Sequence, residues 1–181
     1  MGANLYIPSE ADKAYRENVA RFDFAVKNRD TAKELDDAED YKQWQEQVEL
    51  AYRAMYPLHA TWWDPYNKWS LMAQLGIDWA GLKYYIVDHG DGCASTFLDQ
   101  ANVKSLMALV AERRLGEDYA ETSGNQLANM AMSLLGVSSP GPSVKGQMSA
   151  EDLEYFLERK KALLAFLQHA LDLGEDVRVS Y

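Results

Sequence analysis

The sequence is poor in the residues that mark several large classes of protein. A single cysteine, Cys93, cannot form an internal disulfide, and the first residues do not form a secretory signal, so we expect a reducing, cytoplasmic compartment. No apolar run approaches the length needed to span a bilayer, and no membrane association is predicted. The three histidines, His59, His89 and His169, match no metal-binding pattern, and no nucleotide-binding glycine motif occurs. We therefore predict no metal and no cofactor.

Basic residues are also scarce. The 181 residues include 18 Lys and Arg against 28 Asp and Glu, which gives a formal net charge of −10 and a pI of about 4.7. Non-specific binding of nucleic acid needs clustered Lys and Arg, so it is not expected. The acidic balance leaves open a basic protein partner, or mimicry of nucleic acid by an acidic surface. Hydrophobic residues make up 48%, which is typical of a globular protein, and the length suggests one domain over 1–181.

Helical periodicity is the main pattern that is present. The predicted helices cover residues 9–27, 37–56, 66–75, 79–87, 95–114, 125–135 and 150–173. A short connection joins the first two, which predicts an antiparallel hairpin whose buried stripes include Tyr15 and Tyr52. A fresh helix start around Asp99 or Asn102, which would divide the fifth helix into two pieces, is an open alternative. Residues 136–148, rich in Ser, Pro and Gly, are predicted to form a flexible loop.

Strand patterns are recognised only at the two ends of the chain. Residues 3–7 are short and apolar, and residues 177–181 alternate apolar and polar side chains. We expect the two ends to pair, or at least to lie close together. The predicted fold class is therefore mostly α: an irregular bundle of five to seven helices, with a small two-stranded sheet formed by the termini.

Four of the five tryptophans lie within eighteen positions, from Trp62 to Trp79. So many indoles cannot all lie on one face of one helix. They form either an aromatic core hinge or a binding groove with polar groups at its rim. Asp64 and Pro65 are interpreted as a helix start, with Asp64 as the N-cap. The candidate groove residues are Trp62, Trp63, Asp64, Tyr66, Asn67 and Trp69.

A second candidate is the polar loop at 88–92. It contains Asp88, His89 and Asp91 with two glycines that can adopt positive φ. It lacks the spacing and the closing Glu of a calcium loop, and it is incomplete as a zinc site. The two interpretations are a tight turn and an ion-binding, phosphate-binding or catalytic loop.

Three short patches resemble a group of small uncharacterised bacterial proteins. They are Met-Gly-Ala-Asn-Leu-Tyr-Ile at 1–7, Asp-Pro-Tyr-Asn at 64–67 with Gly-Ile-Asp-Trp at 76–79, and the residues at 166–167 with 173–175. The resemblance implies no activity. It implies only that the termini and the tryptophan segment belong to one unit.

Three functional hypotheses follow, and the first is favoured. The first is a small acidic cytoplasmic protein-interaction module of immunity, anti-defence or regulatory type, which needs an exposed tryptophan at position 62, 63 or 69. The second is a small-molecule-binding or ion-binding protein, or an enzyme, with one cavity between the Trp62–Trp69 segment and the Asp88–Asp91 loop. The third is a structural subunit that forms a homo-oligomer through a large apolar interface.

Overall fold

The computed structural model describes residues 2–65, 70–78, 81–90, 93–115 and 148–180. In these ranges the helices are α1 (Pro8–Glu34), α2 (Ala38–Met55), α3 (Leu71–Gln74), α4 (Gln100–Glu112) and α5 (Ala150–Leu173), and the strands are β1 (Gly2–Tyr6), β2 (Thr61–Pro65), β3 (Tyr85–Asp88), β4 (Ala94–Leu98) and β5 (Val177–Ser180). The predicted helix at 125–135 lies outside the described residues, and so does the predicted loop at 136–148 except for Met148.

The strands form one antiparallel sheet in the order β2-β1-β5-β4-β3. Its centre is the predicted pairing of the two chain ends, with Asn4 opposite Ser180 and Tyr6 opposite Arg178. That pairing is confirmed, but the prediction of a two-stranded sheet is wrong, because three further strands extend it on both sides. The prediction of a mainly helical fold is confirmed, and the fold also contains a five-stranded antiparallel sheet.

Two helix predictions fail because they cover the strands of the β3–β4 hairpin. Predicted helix 79–87 includes most of β3, and predicted helix 95–114 includes most of β4. Short apolar runs fit both helix and strand periods, and β-branched residues such as Ile86 and Thr96 favour the strand. The helical part begins only at Gln100, where Asp99 accepts a hydrogen bond from the Asn102 backbone at 2.8 Å. The alternative start at Asp99 is therefore confirmed.

One face of the sheet carries the core. Alternate side chains of the strands point to this face and pack with α3, α4 and α5. The strand members of this cluster are Leu5, Trp62, Leu98, Val177 and Val179. Helix α5 supplies the largest helical share, and its predicted span of 150–173 is confirmed. It ends at Gly174, whose φ of 69° is the left-handed conformation that glycine adopts most readily.

Helices α1 and α2 form the predicted antiparallel hairpin. Tyr15 contacts Tyr56, whereas Phe24, later in α1, contacts Trp44, which is earlier in α2. The two helices therefore run antiparallel. Helix α1 begins at Pro8, one residue before the predicted start, and it continues to Glu34 instead of ending at 27. The Asn28 side chain there donates to the Phe24 carbonyl at 2.7 Å, which keeps this polar group within the helix instead of a turn.

The hairpin is anchored at its base. Ser9 bonds to Glu175, Glu10 lies 3.0 Å from the imidazole of His169, and Asp12 lies 3.8 Å from Arg178. No described residue of α1 or α2 belongs to the apolar cluster beneath the sheet. At about 1.5 Å per residue, α1 is about 40 Å long. The hairpin is therefore an arm joined to the sheet at one end.

Candidate functional site

The sheet face opposite the core carries a row of aromatic side chains. Tyr6 pairs with Arg178, Arg178 with Phe97, and Phe97 with Tyr85, so all four point to this face. The guanidinium of Arg178 lies 5.3 Å from the centre of the Tyr6 ring. The rings of Tyr85 and Phe97 stack at 5.4 Å. This row forms the floor of the candidate site.

The base of the hairpin forms a wall beside this floor. The ring of Tyr56 lies 5.2 Å from that of Tyr52, one turn earlier on α2, and 6.2 Å from that of Tyr15. Two cavities, of about 510 and 440 Å³, are lined by both Tyr6 and Tyr56 and so adjoin each other. We call the combined site the tyrosine cleft and define it by Tyr6, Tyr15, Tyr52, Tyr56 and Trp63.

Strand alternation separates the two neighbouring tryptophans of the cleft region. Trp62 pairs with Leu5 and points into the core, where it is 2% exposed. Trp63 pairs with Asn4, points to the other face and is 55% exposed. Trp62 is therefore a core residue, as the core interpretation predicts, whereas Trp63 is exposed and lines the cleft. The binding-groove interpretation stays a prediction.

The phenol of Tyr56 lies among the other phenols of the cleft. Burial raises the pKa of Tyr56, and the neighbouring phenols of Tyr15, Tyr52 and Tyr6 raise it further. The larger cavity has no charged side chain in its described lining. The smaller one is lined by Asp12 and Arg178, which form an ion pair. The larger cavity thus offers aromatic faces without a competing charge of its own.

Asp64 is expected at the rim of a binding groove, but in the structure it is fully buried. Its carboxylate accepts hydrogen bonds from the backbone of Leu71 at 3.2 Å and Met72 at 3.3 Å, and it lies 3.9 Å from Arg159 of α5. Burial raises its pKa, while the two backbone donors and Arg159 oppose the rise. Asp64 therefore ties β2 to the start of α3.

The predicted helix start at Asp64 and Pro65 is correspondingly wrong. Pro65 belongs to β2, and Ser70 is the N-cap of α3, accepting from the Ala73 backbone at 3.0 Å. Asp64 does bond to the first turn of that helix, but from seven residues away in the chain. The predicted end at Gly76 agrees with the structure, where α3 ends at Gln74 and Gly76 has a φ of 62°.

Asp88 is the last residue of β3, and His89 is the first residue after this strand. The Asp88 carboxylate accepts from the Gly90 backbone at 2.9 Å, and Nε2 of His89 lies 2.9 Å from the Ser95 hydroxyl. Strands β2 and β3 are the two opposite edges of the sheet, about 19 Å apart at the usual strand spacing. The structure therefore does not bring Asp64 together with Asp88 and His89. The candidates Tyr66, Asn67, Trp69 and Asp91 lie outside the described residues, and their roles stay predictions.

Several cleft residues were missed in the sequence. Tyr15 and Tyr52 were expected in buried stripes, yet they are 43% and 55% exposed. The four-residue spacing of Tyr52 and Tyr56 places them on one face of a helix, a signal that was available. Tyr6 and Arg178 were assigned to the correct strands, but their shared face depends on the pairing register.

The remaining tests concern metals, membranes and known proteins. Among the described residues, no group of three or more His, Cys, Asp or Glu is arranged to hold a metal ion. None of the described helices combines the length and the apolarity that a bilayer crossing requires. In comparisons with known proteins, no family model, no curated protein and no solved structure matched this chain.

Proposed function

We propose that this protein is a cytoplasmic protein-interaction module that binds a basic segment of another protein in the tyrosine cleft. The observation that carries the proposal is the exposure of Trp63 and Tyr52, both 55%, beside a cavity of about 510 Å³ whose described lining has no charge. Tyr and Trp are the residues most enriched at the centres of protein interfaces.

The expected partner is basic because of the rings and the overall charge. A guanidinium or ammonium group is attracted to the face of an aromatic ring. Two of the protein's own guanidinium groups already occupy such faces: Arg178 over Tyr6, and Arg159 at 5.1 Å from the Trp62 ring. The net charge of −10 attracts a cationic partner over longer distances. The small size and the acidic charge fit an immunity, anti-defence or regulatory role, in which the protein covers a basic surface of its target.

The test uses synthetic peptides as probes. Isothermal titration at low salt should show binding of a hexa-arginine peptide and none of a hexa-glutamate peptide. Tyr52→Ala and Trp63→Ala should each weaken binding roughly tenfold, which corresponds to about 1.4 kcal/mol, since each removes one aromatic face.

The matched control is Leu50→Ala, which should leave the affinity unchanged. Leu50 is 58% exposed on the same helix, but at 100° per residue it points to the opposite side from Tyr52 and lines a different groove. Equal affinity in all variants would show that net charge alone attracts the peptide, and would contradict the cleft as the binding site.

A small-molecule ligand is the second candidate, and the size of the cavity favours it. About 510 Å³ is within the range of sites for metabolites and cofactors. Native mass spectrometry of gently purified protein distinguishes the two: a retained mass that is lost in Tyr52→Ala and kept in Leu50→Ala would favour the small molecule. A bare protein that binds the cationic peptide favours the interaction module.

A further inference from the structure

Strand β3 is an edge strand that lacks the usual protection of an edge. Among the described strands it pairs with β4 alone. Tyr85, Ile86 and Val87 are 40%, 69% and 38% exposed. Natural edge strands usually carry a Lys, a Pro or a bulge that blocks further pairing. The four residues of β3 contain neither Lys nor Pro.

Both faces of β3 carry an exposed apolar side chain. Tyr85 points to the open face of the sheet with Phe97, and Val87, two residues on, shares that face. Ile86 points to the opposite face, where it is nevertheless exposed. A strand that is apolar on both faces is typical of the interior of a covered sheet and not of an edge.

The free hydrogen-bonding groups of β3 follow from the ladder with β4. The His89 backbone donates to the Cys93 carbonyl at 3.0 Å, and the same ladder pairs Val87 with Ser95. Hydrogen-bonded pairs alternate along an antiparallel ladder, so Val87 and Tyr85 bond to β4. The backbone N–H and C=O of Ile86 and Asp88 therefore point outward from the edge.

We propose that β3 pairs antiparallel with β3 of a second copy of this chain, about a two-fold axis at Ile86, so that two five-stranded sheets join into one of ten strands. A two-fold axis perpendicular to the sheet keeps each side chain on its own face. Residues opposite each other must share a face. An odd-numbered position can therefore pair only with an odd-numbered one, and an even-numbered position only with an even-numbered one.

The register follows from the side chains. With the axis at Ile86, the two Ile86 residues exchange their outward backbone hydrogen bonds, and Tyr85 lies opposite Val87 on the other face. Apolar side chains then meet on both faces. With the axis at Val87, each Asp88 would lie opposite an Ile86, so the first register is preferred.

The charge within β3 does not block a second copy in this register. Asp88 is the only charged residue within β3, and the two Asp88 residues lie at opposite ends of the new ladder. Four residue steps separate them, or about 14 Å, which exceeds the Debye length of about 10 Å at 0.1 M salt. The net charge of −10 on each copy still opposes association. We therefore expect salt to strengthen the dimer, whereas it weakens binding of a basic partner in the cleft.

The test is sedimentation velocity over a range of concentrations and salt. The wild type should dimerise more tightly at higher salt. Ile86→Lys and Ile86→Glu should each weaken self-association roughly tenfold or more, because each places like charges opposite one another. An equal mixture of the two variants should restore a heterodimer, since position 86 then pairs Lys with Glu.

The control is Leu35→Lys, which changes a residue 74% exposed beyond α1 and should leave the dimer unchanged. Far-UV circular dichroism confirms that each variant is folded. A wild type that stays monomeric at all concentrations, or a mixture that fails to associate, would overturn the proposal.

Hydrogen exchange supplies an independent readout. The Ile86 and Asp88 amides should become protected as the protein concentration rises, while Val87, bonded to β4, is protected throughout. Protection of Ile86 that is already complete in the dilute monomer would show that another part of the chain covers the edge, and would contradict pairing with a second copy. Tyr52→Ala should not alter the dimer, which keeps this test separate from that of the cleft.

Discussion

Trp62 and Trp63 are consecutive in the chain and lie on opposite faces of the sheet, one 2% and the other 55% exposed. One side chain therefore belongs to the core and the other to the surface of the cleft. Because β2 is an edge strand beside β1, this division depends on the register that places Trp62 opposite Leu5. A shift by one residue would exchange the two indoles.

The first prediction compares alanine substitutions at these two positions. Trp62→Ala removes a buried indole from the core and should lower the free energy of unfolding by about 3–5 kcal/mol. Trp63→Ala should change it by less than about 1 kcal/mol and should impair only binding in the cleft. Urea denaturation followed by circular dichroism measures both. A larger loss for Trp63→Ala than for Trp62→Ala would be inconsistent with the assigned faces.

The second prediction concerns Asp64 and pH. Burial raises the native pKa of Asp64 above its ordinary value of 3.8, so the folded state binds this proton more tightly than the unfolded state. Its contribution to stability is fully present below 3.8 and is lost as the pH rises through the native pKa.

Asp64→Asn, which does not titrate, isolates this contribution. The stability difference between wild type and Asp64→Asn, measured by urea unfolding across a pH series, should be largest at low pH and should shrink as the pH rises. A difference that grows with pH would mean that the backbone donors of Leu71 and Met72 outweigh burial.

The third prediction concerns Tyr85. Its hydroxyl donates to Asp176 at 2.7 Å, and this hydrogen bond, with smaller contributions from burial and charge, raises the pKa of Tyr85 to about 12. The associated stability is present below the ordinary value of 10.0 and is lost as the pH rises through about 12. Asp176→Ala should lower the pKa of Tyr85 towards 10.0 in an NMR titration of labelled tyrosine. Asp172→Ala, which removes an exposed acid of α5, is the control and should leave it unchanged.

The fourth prediction tests the end of α5. Gly174 has a φ of 69°, and a Cβ there would meet no atom within 4 Å. Gly174→Ala should therefore cost only backbone strain, about 1–2 kcal/mol of unfolding free energy. Gly81, which is equally unobstructed and does not have the positive φ, is the matched control. Gly81→Ala should be neutral or stabilising by up to about 1 kcal/mol, because alanine reduces the entropy of the unfolded chain. Equal losses in both variants would argue against a left-handed end at Gly174.

Local signals were sufficient for several elements. Helix α5 was predicted from 150 to 173 because its Ser149 cap, its apolar period and Gly174 all agree. The pairing of the two ends followed from their strand patterns. Helix α2 was predicted within one residue at each end, with Asp37 as its N-cap accepting from the Asp40 backbone.

Other features depended on distant contacts. The sequence pattern of Tyr85 to Val87 fits a helix and a strand equally well. Only their pairing with Phe97 and its neighbours makes these residues a strand. Asp64 resembled a local N-cap, yet its partners are Leu71, Met72 and Arg159 on other elements. Local patterns cannot show which of several compatible partners a residue meets.

The amino-acid sequence by itself determined the acidic charge, the helical hairpin, the last helix and the strand character of the two chain ends, because each depends on composition or on residues a few positions apart. Only the tertiary structure decided the five-stranded sheet, the exposed edge at Ile86 and the tyrosine cleft. The cleft combines Tyr6, Tyr15, Tyr56 and Trp63 from four segments of the chain, and strand register and hairpin docking set their common face. These are properties of long-range packing, which no local pattern encodes.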